Sequence, residues 1–418
     1  MRDSRAKVFG SFFKKNRFLL LFLLCSAPAF AFDPQAATDA YLKSIPAAAR
    51  LKSDAYFEGG YWLLLWTALY SVVTYALLLA TGLSARMRDI AFRLGRRRWP
   101  AVAIYAALFT LASAALSLPM DVYQGYFREH AYDLSNQTLA AWFGDTSINL
   151  AVSLVASALV LPVIYATIRA APRLWWVWGT GVVMAFLCVI VVLGPVFLEP
   201  LLNHFQPLPD GPLRTQILAM AHSDGVPATD VKEYDSSRQT NRISAHVAGA
   251  FGTTQISLTD NLVKQGSPDE ALAIVGHEMG HYVMGHVFNY LLLLSFIVAG
   301  GFLFARLLFR LAVGDQGRWG LQTIADPAGL PILMSAATIY GLLMTPVTNT
   351  LTRQQEMQAD LFGLNLARRP DAFATSILKL STYRKLDPSP LEEFVFYDHP
   401  SGRTRIFTAM RWKAEQGK

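Results

Sequence analysis

Seven apolar runs punctuate the chain, separated by polar stretches of very unequal length. The first, Phe18 to Cys25, is short; it follows Arg2, Arg5, Lys7, Lys14, Lys15 and Arg17 and precedes Ala29-Phe30-Ala31. A basic stretch, a short apolar core and an A-x-A site read as a secretory signal peptide over residues 1–31, with an uncleaved first span as the alternative. The other six runs, at 61–83, 100–119, 148–170, 174–197, 287–309 and 328–350, each come near or exceed the ~20 residues a helix needs to cross a bilayer. They predict six transmembrane helices. Pro162, Pro331 and Pro346 fall inside two of them and are expected to kink rather than end them, because neighbouring spans can satisfy the freed carbonyls.

Two polar regions are long enough to hold chemistry, 198–286 and 351–418. In the first, alternating apolar residues from Ile243 to Leu258 predict one or two short strands, with Gly249 and Gly252 at a bend. A helix then starts at Ser267-Pro268-Asp269-Glu270, Ser267 capping and Pro268 in the first turn, and is expected to run straight through His277 and His281 toward the fifth mature span. The second region opens with helical sequence from Thr352 to Arg368. The predicted organisation is a signal segment 1–31, four spans with loops in 32–197, half of a catalytic domain in 198–286, two spans in 287–350 and the other half in 351–418. The fold class is thus a mainly α, polytopic membrane protein with a small α+β domain assembled from two segments.

Composition agrees: 53% of the 418 residues are hydrophobic and 16% charged, with a mean hydropathy of +0.31. The net charge of +7 does not indicate a nucleic-acid partner, since basic residues gather beside apolar runs, as in Arg93-Leu94-Gly95-Arg96-Arg97-Arg98, where they orient spans in a bilayer. The two cysteines, Cys25 and Cys188, both lie in apolar runs, which excludes a disulfide framework or a cysteine-based zinc site.

His277-Glu278-Met279-Gly280-His281 carries the chemistry. Residues four apart share one helix face, so two imidazoles can bind one Zn²⁺ while Glu278 reaches the attacking water as general base. A hydrolytic zinc site needs a third protein ligand. His286, nine positions past His277, falls on the opposite side of a continuous helix at about 100° per residue and reads as an interfacial histidine. Glu356 and Asp360, also four apart, fit better: on a second helix packed against the first, Glu356 could reach the metal and Asp360 a ligand imidazole. A transporter or channel with a structural or sensory zinc site, and a scaffold without activity, are the competing classes; a structural site does not need Glu278, and the intact ligand set argues against a scaffold.

In these motifs the chain resembles the type I CAAX prenyl endopeptidases, integral-membrane zinc proteases of the gluzincin group. The resemblance rests on HEMGH, on E-x-x-x-D within Arg353 to Asp360, on the stretch 199–213 and on LSNQT at 134–138 with Asp145 following. It implies a zincin-like catalytic domain, one Zn²⁺ per chain, and a barrel of helices enclosing a chamber suited to peptides with a lipid or membrane-embedded portion. It also implies a substrate-pairing edge strand at Ser244, Ala245 and His246, where serine replaces the family's asparagine. Finally it puts His399 and Arg405 near the substrate carbonyl, with His399 stabilising the oxyanion.

The charge of the short loops sets an expected orientation. Loop 84–99 has six Arg against one Asp, and the turn 169–173 adds Arg169 and Arg173, so both are expected in the cytoplasm. The catalytic segments then face the periplasm of a bacterial inner membrane. The sequence leaves the natural substrate and the oligomeric state open.

Overall fold

The computed structural model describes residues 32–249, 254–315 and 317–417. The expected signal segment, 1–31, lies outside these residues, as does Gly252 of the expected bend. A short helix α1 (Pro34–Lys43), capped by the Asp33 carboxylate, leads into α2 (Ala47–Ala80). Next come α3 (Leu83–Gly95), α4 (Arg98–Val122), α5 (Leu139–Ala170) and α6 (Trp175–Leu193). Both α4 and α6 pass into π-helical segments, Tyr123–Arg128 and Gly194–Leu198.

The first polar region folds as β1 (Phe205–Pro207), α7 (Pro212–Ser223), β2 (Val231–Tyr234), β3 (Ala245–Ala248), β4 (Gln255–Thr259), α8 (Asp260–Gln265) and α9 (Pro268–Val283). Two long helices, α10 (His286–Val313) and α11 (Leu330–Ala367), return through the apolar region. The chain closes with α12 (Pro370–Leu380), α13 (Pro390–Phe396) and α14 (Gly402–Glu415).

Among the described residues six helical stretches are long and apolar enough to span a membrane: 47–80, 98–131, 139–170, 175–202, 286–313 and 327–367. Their large apolar side chains point outward, Trp62, Leu159, Phe197, Phe296 and Leu311 among them. Such a surface is costly in water and natural in lipid, and the chain is a multi-pass membrane protein. Pro162 and Pro346 lie within α5 and α11, which continue through them, whereas Pro331 occupies the first turn of α11. There its missing N–H costs nothing, so Pro331 starts a helix instead of kinking one. The sixth span and the helix expected at Thr352–Arg368 form the single helix α11.

The four strands pair in the order β1-β2-β4-β3. β2 runs parallel to β4, while β1 and β3 are antiparallel to their neighbours, with Ala245 opposite Leu258 and Ala248 opposite Gln255. One face buries Val231, Ala245, Ile256 and Leu258 against Ile217 and Ala221 of α7 and Leu272, Val275 and Met279 of α9. A second core joins α1, α12 and α14 through Leu42, Phe373, Ile377, Ile406 and Met410.

Candidate metal centre

The start of α9 fixes the phase of everything on it. Ser267 Oγ accepts from Glu270 N–H at 3.2 Å and Glu270 Oε2 accepts from Ser267 N–H at 2.7 Å, a reciprocal cap that satisfies two end donors, with Pro268 in the first turn. Leu272, Val275 and Met279 then face the sheet, and the phase turns His277 and His281 toward α11.

Glycine lets the two helices approach that closely. A Cβ on Gly363 of α11 would stand 2.7 Å from the backbone N of His277, and one on Gly280 would stand 3.1 Å from Cα of Ala359. Backbone meets backbone at this crossing, which brings the H-E-x-x-H face onto the E-x-x-x-D face.

The resulting geometry is compact. One nitrogen or oxygen from each of His277, His281 and Glu356 lies within 4.8 Å of the others. His277 Nε2 is 3.2 Å from Glu356 Oε2, His281 Nε2 is 3.4 Å from Glu356 Oε1, and the two Nε2 atoms are 3.1 Å apart. On its other side His277 Nδ1 meets Asp360 Oδ1 at 2.8 Å. Asp360, fully buried, is gripped by Arg405, Nε to Oδ2 at 2.9 Å and Nη2 to Oδ1 at 2.5 Å. His399 Nε2 reaches Glu356 Oε2 at 3.2 Å, and its Nδ1 is held by Asp398 Oδ1 at 2.8 Å. Glu278 is half-buried on the same helix.

The donor set fits a cation. Asp360 accepts the His277 Nδ1–H, so the neutral form of His277 keeps its lone pair on Nε2, facing a carboxylate and a second imidazole nitrogen. Glu356 Oε2 is buried and finds no hydrogen bond, although two imidazole nitrogens stand 3.2 Å away. Burial by itself pulls the His277 pKa down, yet the Asp360 and Glu356 carboxylates outweigh it and push it up to about 9. The cavity draws in positive charge, and two imidazoles with one carboxylate make a donor set that zinc prefers.

The remaining expected site residues are arranged as follows. Among the described residues β3 is an edge strand of the sheet, paired with β4. Ala245 faces the core, and His246 turns to the other face, 3.4 Å from Glu199 Oε2 and beside the Tyr234 ring. Ser244 N–H donates to Thr259 Oγ1 at 3.0 Å, closing the start of the strand. Arg405, which the resemblance puts at the substrate carbonyl, is buried behind the imidazoles with its guanidinium on Asp360. A pocket of mixed character includes His399 in its wall, with Phe57, Leu380 and Tyr397 beside the charged Arg384, Lys385 and Asp398.

His286 departs from the expectation of an interfacial residue. α9 stops at Val283, Gly285 takes φ of 66°, and α10 begins at His286, which is buried against His281. A straight helix was the wrong premise, and Gly285, suited to a left-handed helix end, was the signal for the break. Asp398 and Gln358 also border the site; neither carries a spacing that sequence reasoning could use.

Comparisons with known proteins agree with this arrangement. A sequence profile of peptidase family M48 matches residues 207–413, and one described as the CAAX prenyl protease N-terminal segment, five membrane helices, matches 35–204. The uncharacterized metalloprotease YhfN of Bacillus subtilis is 30% identical over 308 residues, 72% of this chain and 71% of that protein. CAAX prenyl protease 1 of Saccharomyces cerevisiae is 26% identical over 340 residues, 75% of this chain and 73% of that one. The crystal structure of S. mikatae Ste24p superposes with a TM-score of 0.74 at 20% identity, covering 90% of this chain and 95% of that one, which identifies a shared fold.

Proposed function

The chain belongs to peptidase family M48, with the membrane metalloproteases of the CAAX prenyl protease type, and from that membership we propose that His277, His281 and Glu356 hold one zinc ion. The protein is a multi-pass membrane metalloendopeptidase. Membership in a protease family removes the transporter and scaffold readings. The observation that supports the zinc assignment is the convergence of two imidazole nitrogens and a buried carboxylate with an unsatisfied oxygen.

When bound, zinc supplies Lewis acidity, polarising the scissile carbonyl and making water a competent nucleophile near neutral pH. Glu278, next to the first ligand, takes the proton from the attacking water and delivers it to the departing amine. In its doubly protonated form His399 would donate from Nε2 toward the carbonyl oxygen as negative charge develops there, with Asp398 accepting its Nδ1–H. Asp360 keeps the His277 lone pair on Nε2, and Arg405 keeps Asp360 ionised and in place; burial opposes charge on Arg405, but Asp360 holds it charged. That geometry supports a positioning role for Arg405 in preference to a substrate contact. The outer edge of β3, at Ser244, Ala245 and His246, has no strand partner among the described residues and offers backbone groups to an extended peptide.

The proposed substrates are peptides carrying a lipid or a membrane-embedded portion, because the site lies at the membrane-emergent end of α11. The proposed location is the periplasmic side of a bacterial inner membrane. The test is the purified full chain with Glu278→Gln: zinc content stays near one per chain while peptide cleavage falls by at least ~100-fold. Loss of zinc with this substitution, or unchanged turnover, overturns the assignment of Glu278 as base.

A further inference from the structure

The two imidazoles of the centre are held by different means. His277 is fixed by a buried ionised carboxylate, Asp360, at 2.8 Å. Among the described residues His281 meets no carboxylate on its outer side; its Nδ1 lies 3.0 Å from Nδ1 of His286. His286 is only 3% exposed, and its Nε2 lies 3.1 Å from Oε1 of Gln358, two residues past Glu356 on α11. His281, His286 and Gln358 thus stand in a row, and a neutral imidazole, like an amide oxygen, has a fixed capacity for hydrogen bonds.

That capacity decides the direction of the chain. The Gln358 carbonyl oxygen can only accept, so His286 carries its hydrogen on Nε2. A neutral imidazole has one N–H, which leaves the His286 Nδ1 as a lone pair. His281 Nδ1 must then be the donor across the 3.0 Å contact. Its Nε2, the atom facing Glu356 and His277, is left unprotonated. With the Gln358 amide reversed, every bond in the row reverses, and His281 would present an N–H to the centre.

We propose that Gln358 and His286 form a hydrogen-bond relay that selects the metal-binding tautomer of His281. Both are positioning residues, and the inference rests on His281 being a metal ligand. The turn at Gly285 is what makes it possible, because it ends α9 and folds His286 back onto the preceding helix turn. The relay is uncharged. A carboxylate in its place would raise the basicity of His281 and tighten metal binding, at the expense of the Lewis acidity that the reaction uses.

The experiment measures zinc affinity of the full chain in detergent by competition with a chromophoric chelator, alongside kcat and the thermal midpoint of the metal-free protein. Gln358→Met keeps the side-chain length and removes the acceptor; His286→Phe removes the relay. Each is expected to weaken zinc binding by about 10- to 100-fold. The double variant should be no weaker than His286→Phe, since both break one path. Gln358→Glu keeps the acceptor, and is expected to match or exceed wild-type zinc affinity while lowering kcat. A packing role predicts lower thermal midpoints with unchanged zinc affinity in all variants, and that result overturns the relay. Gln358→Glu binding zinc as weakly as Gln358→Met overturns it as well. If instead His281→Ala binds zinc as well as wild type, the metal centre itself is misassigned.

Discussion

At the scale of single residues, the centre is a set of acceptors kept pointing inward by partners on their far sides. Asp360 and Arg405 are the most exacting pair, because both are buried and each cancels the other's charge. Arg405→Met leaves Asp360 as a buried anion without its partner, and is expected to destabilise the chain by about 3–5 kcal/mol, read as a lower unfolding midpoint in detergent. Asp360→Leu added to Arg405→Met should recover part of that stability but leave zinc affinity ~10- to 100-fold below wild type, because His277 loses its orienting acceptor. Full recovery of zinc affinity in the double variant would show that the pair acts on stability alone. Glu356→Ala, by contrast, is expected to abolish stoichiometric zinc binding with the His277–Asp360–Arg405 chain intact; retention of zinc would mean another group is the third ligand. How legible these residues were follows from periodicity. His277 with His281, and Glu356 with Asp360, repeat every four residues, and a helix converts that spacing into one face. His286 and Gln358 obey no such period, since a left-handed turn and a second helix bring them together. Asp398 is adjacent to His399 in sequence, but adjacency does not tell which nitrogen it will hold.

At the scale of elements, the position of a helix start was more readable than its continuation. Ser267, Pro268 and Glu270 mark the beginning of α9 by a capping pattern that the structure realises bond for bond. The end at Val283 was missed because Gly285 sits between two apolar stretches that look continuous. The same holds for α11: an apolar span and a polar ligand-bearing stretch differ in composition but share one unbroken helix of 38 residues, about 57 Å long. That continuity couples the membrane to the centre, because Glu356, the proposed third ligand, is a direct extension of the sixth span. The crossing of α9 and α11 is the element contact on which the site depends. Gly363→Ala puts a methyl 2.7 Å from the backbone N of His277, where nothing flexible can give way. It is expected to destabilise by about 1–3 kcal/mol and to weaken zinc binding, as Glu356 is pushed from the imidazoles. Gly341→Ala, at a position on the same helix with open space around it, is the control and should leave both unchanged. Equal effects of the two would refer the loss to the helix itself and not to the crossing.

At the scale of the whole molecule, the question is which side of the membrane holds the centre, and packing and charge bear on it independently. α1 lies against the C-terminal catalytic helices: Asp39 Oδ1 accepts from Arg403 Nη1 at 2.7 Å, Tyr41 donates to Asp371 at 2.9 Å, and Leu42 shares a core with Ile406 and Met410. The segment before the first span is therefore on the same side as the centre. Ser135, between the second and third spans, bridges to Thr240 beside the sheet, so that loop is on this side too. At the opposite end, Arg88 of α3 pairs with Asp326, before the sixth span, at 2.6 Å. The six spans found among the described residues alternate without conflict when read this way, with 84–97, 171–174 and 317–329 at one end and the described catalytic segments at the other. The short loops at the first end carry Arg86, Arg88, Arg93, Arg96 and Arg97 against Asp89, with Arg98 opening the next helix, then Arg173 with no acid, while the third loop has Arg318 against Asp326 and, just before it, Asp315. Short, arginine-rich loops are retained in the cytoplasm, so the proposed topology puts the zinc centre in the periplasm. The acidic balance of 198–286, ten Asp and Glu against five Lys and Arg, agrees with that side. A fluorescent reporter that matures only in the cytoplasm, fused after Lys418, should be dark, while alkaline phosphatase at the same point, active only outside it, should be bright. The reverse pattern would move the centre to the cytosol and assign the arginine-rich loops some role other than orientation. Replacing Arg96, Arg97 and Arg98 by Asn separates the two: if these charges set the topology, the variant population should split between both orientations, and alkaline phosphatase activity after Lys418 should fall in proportion.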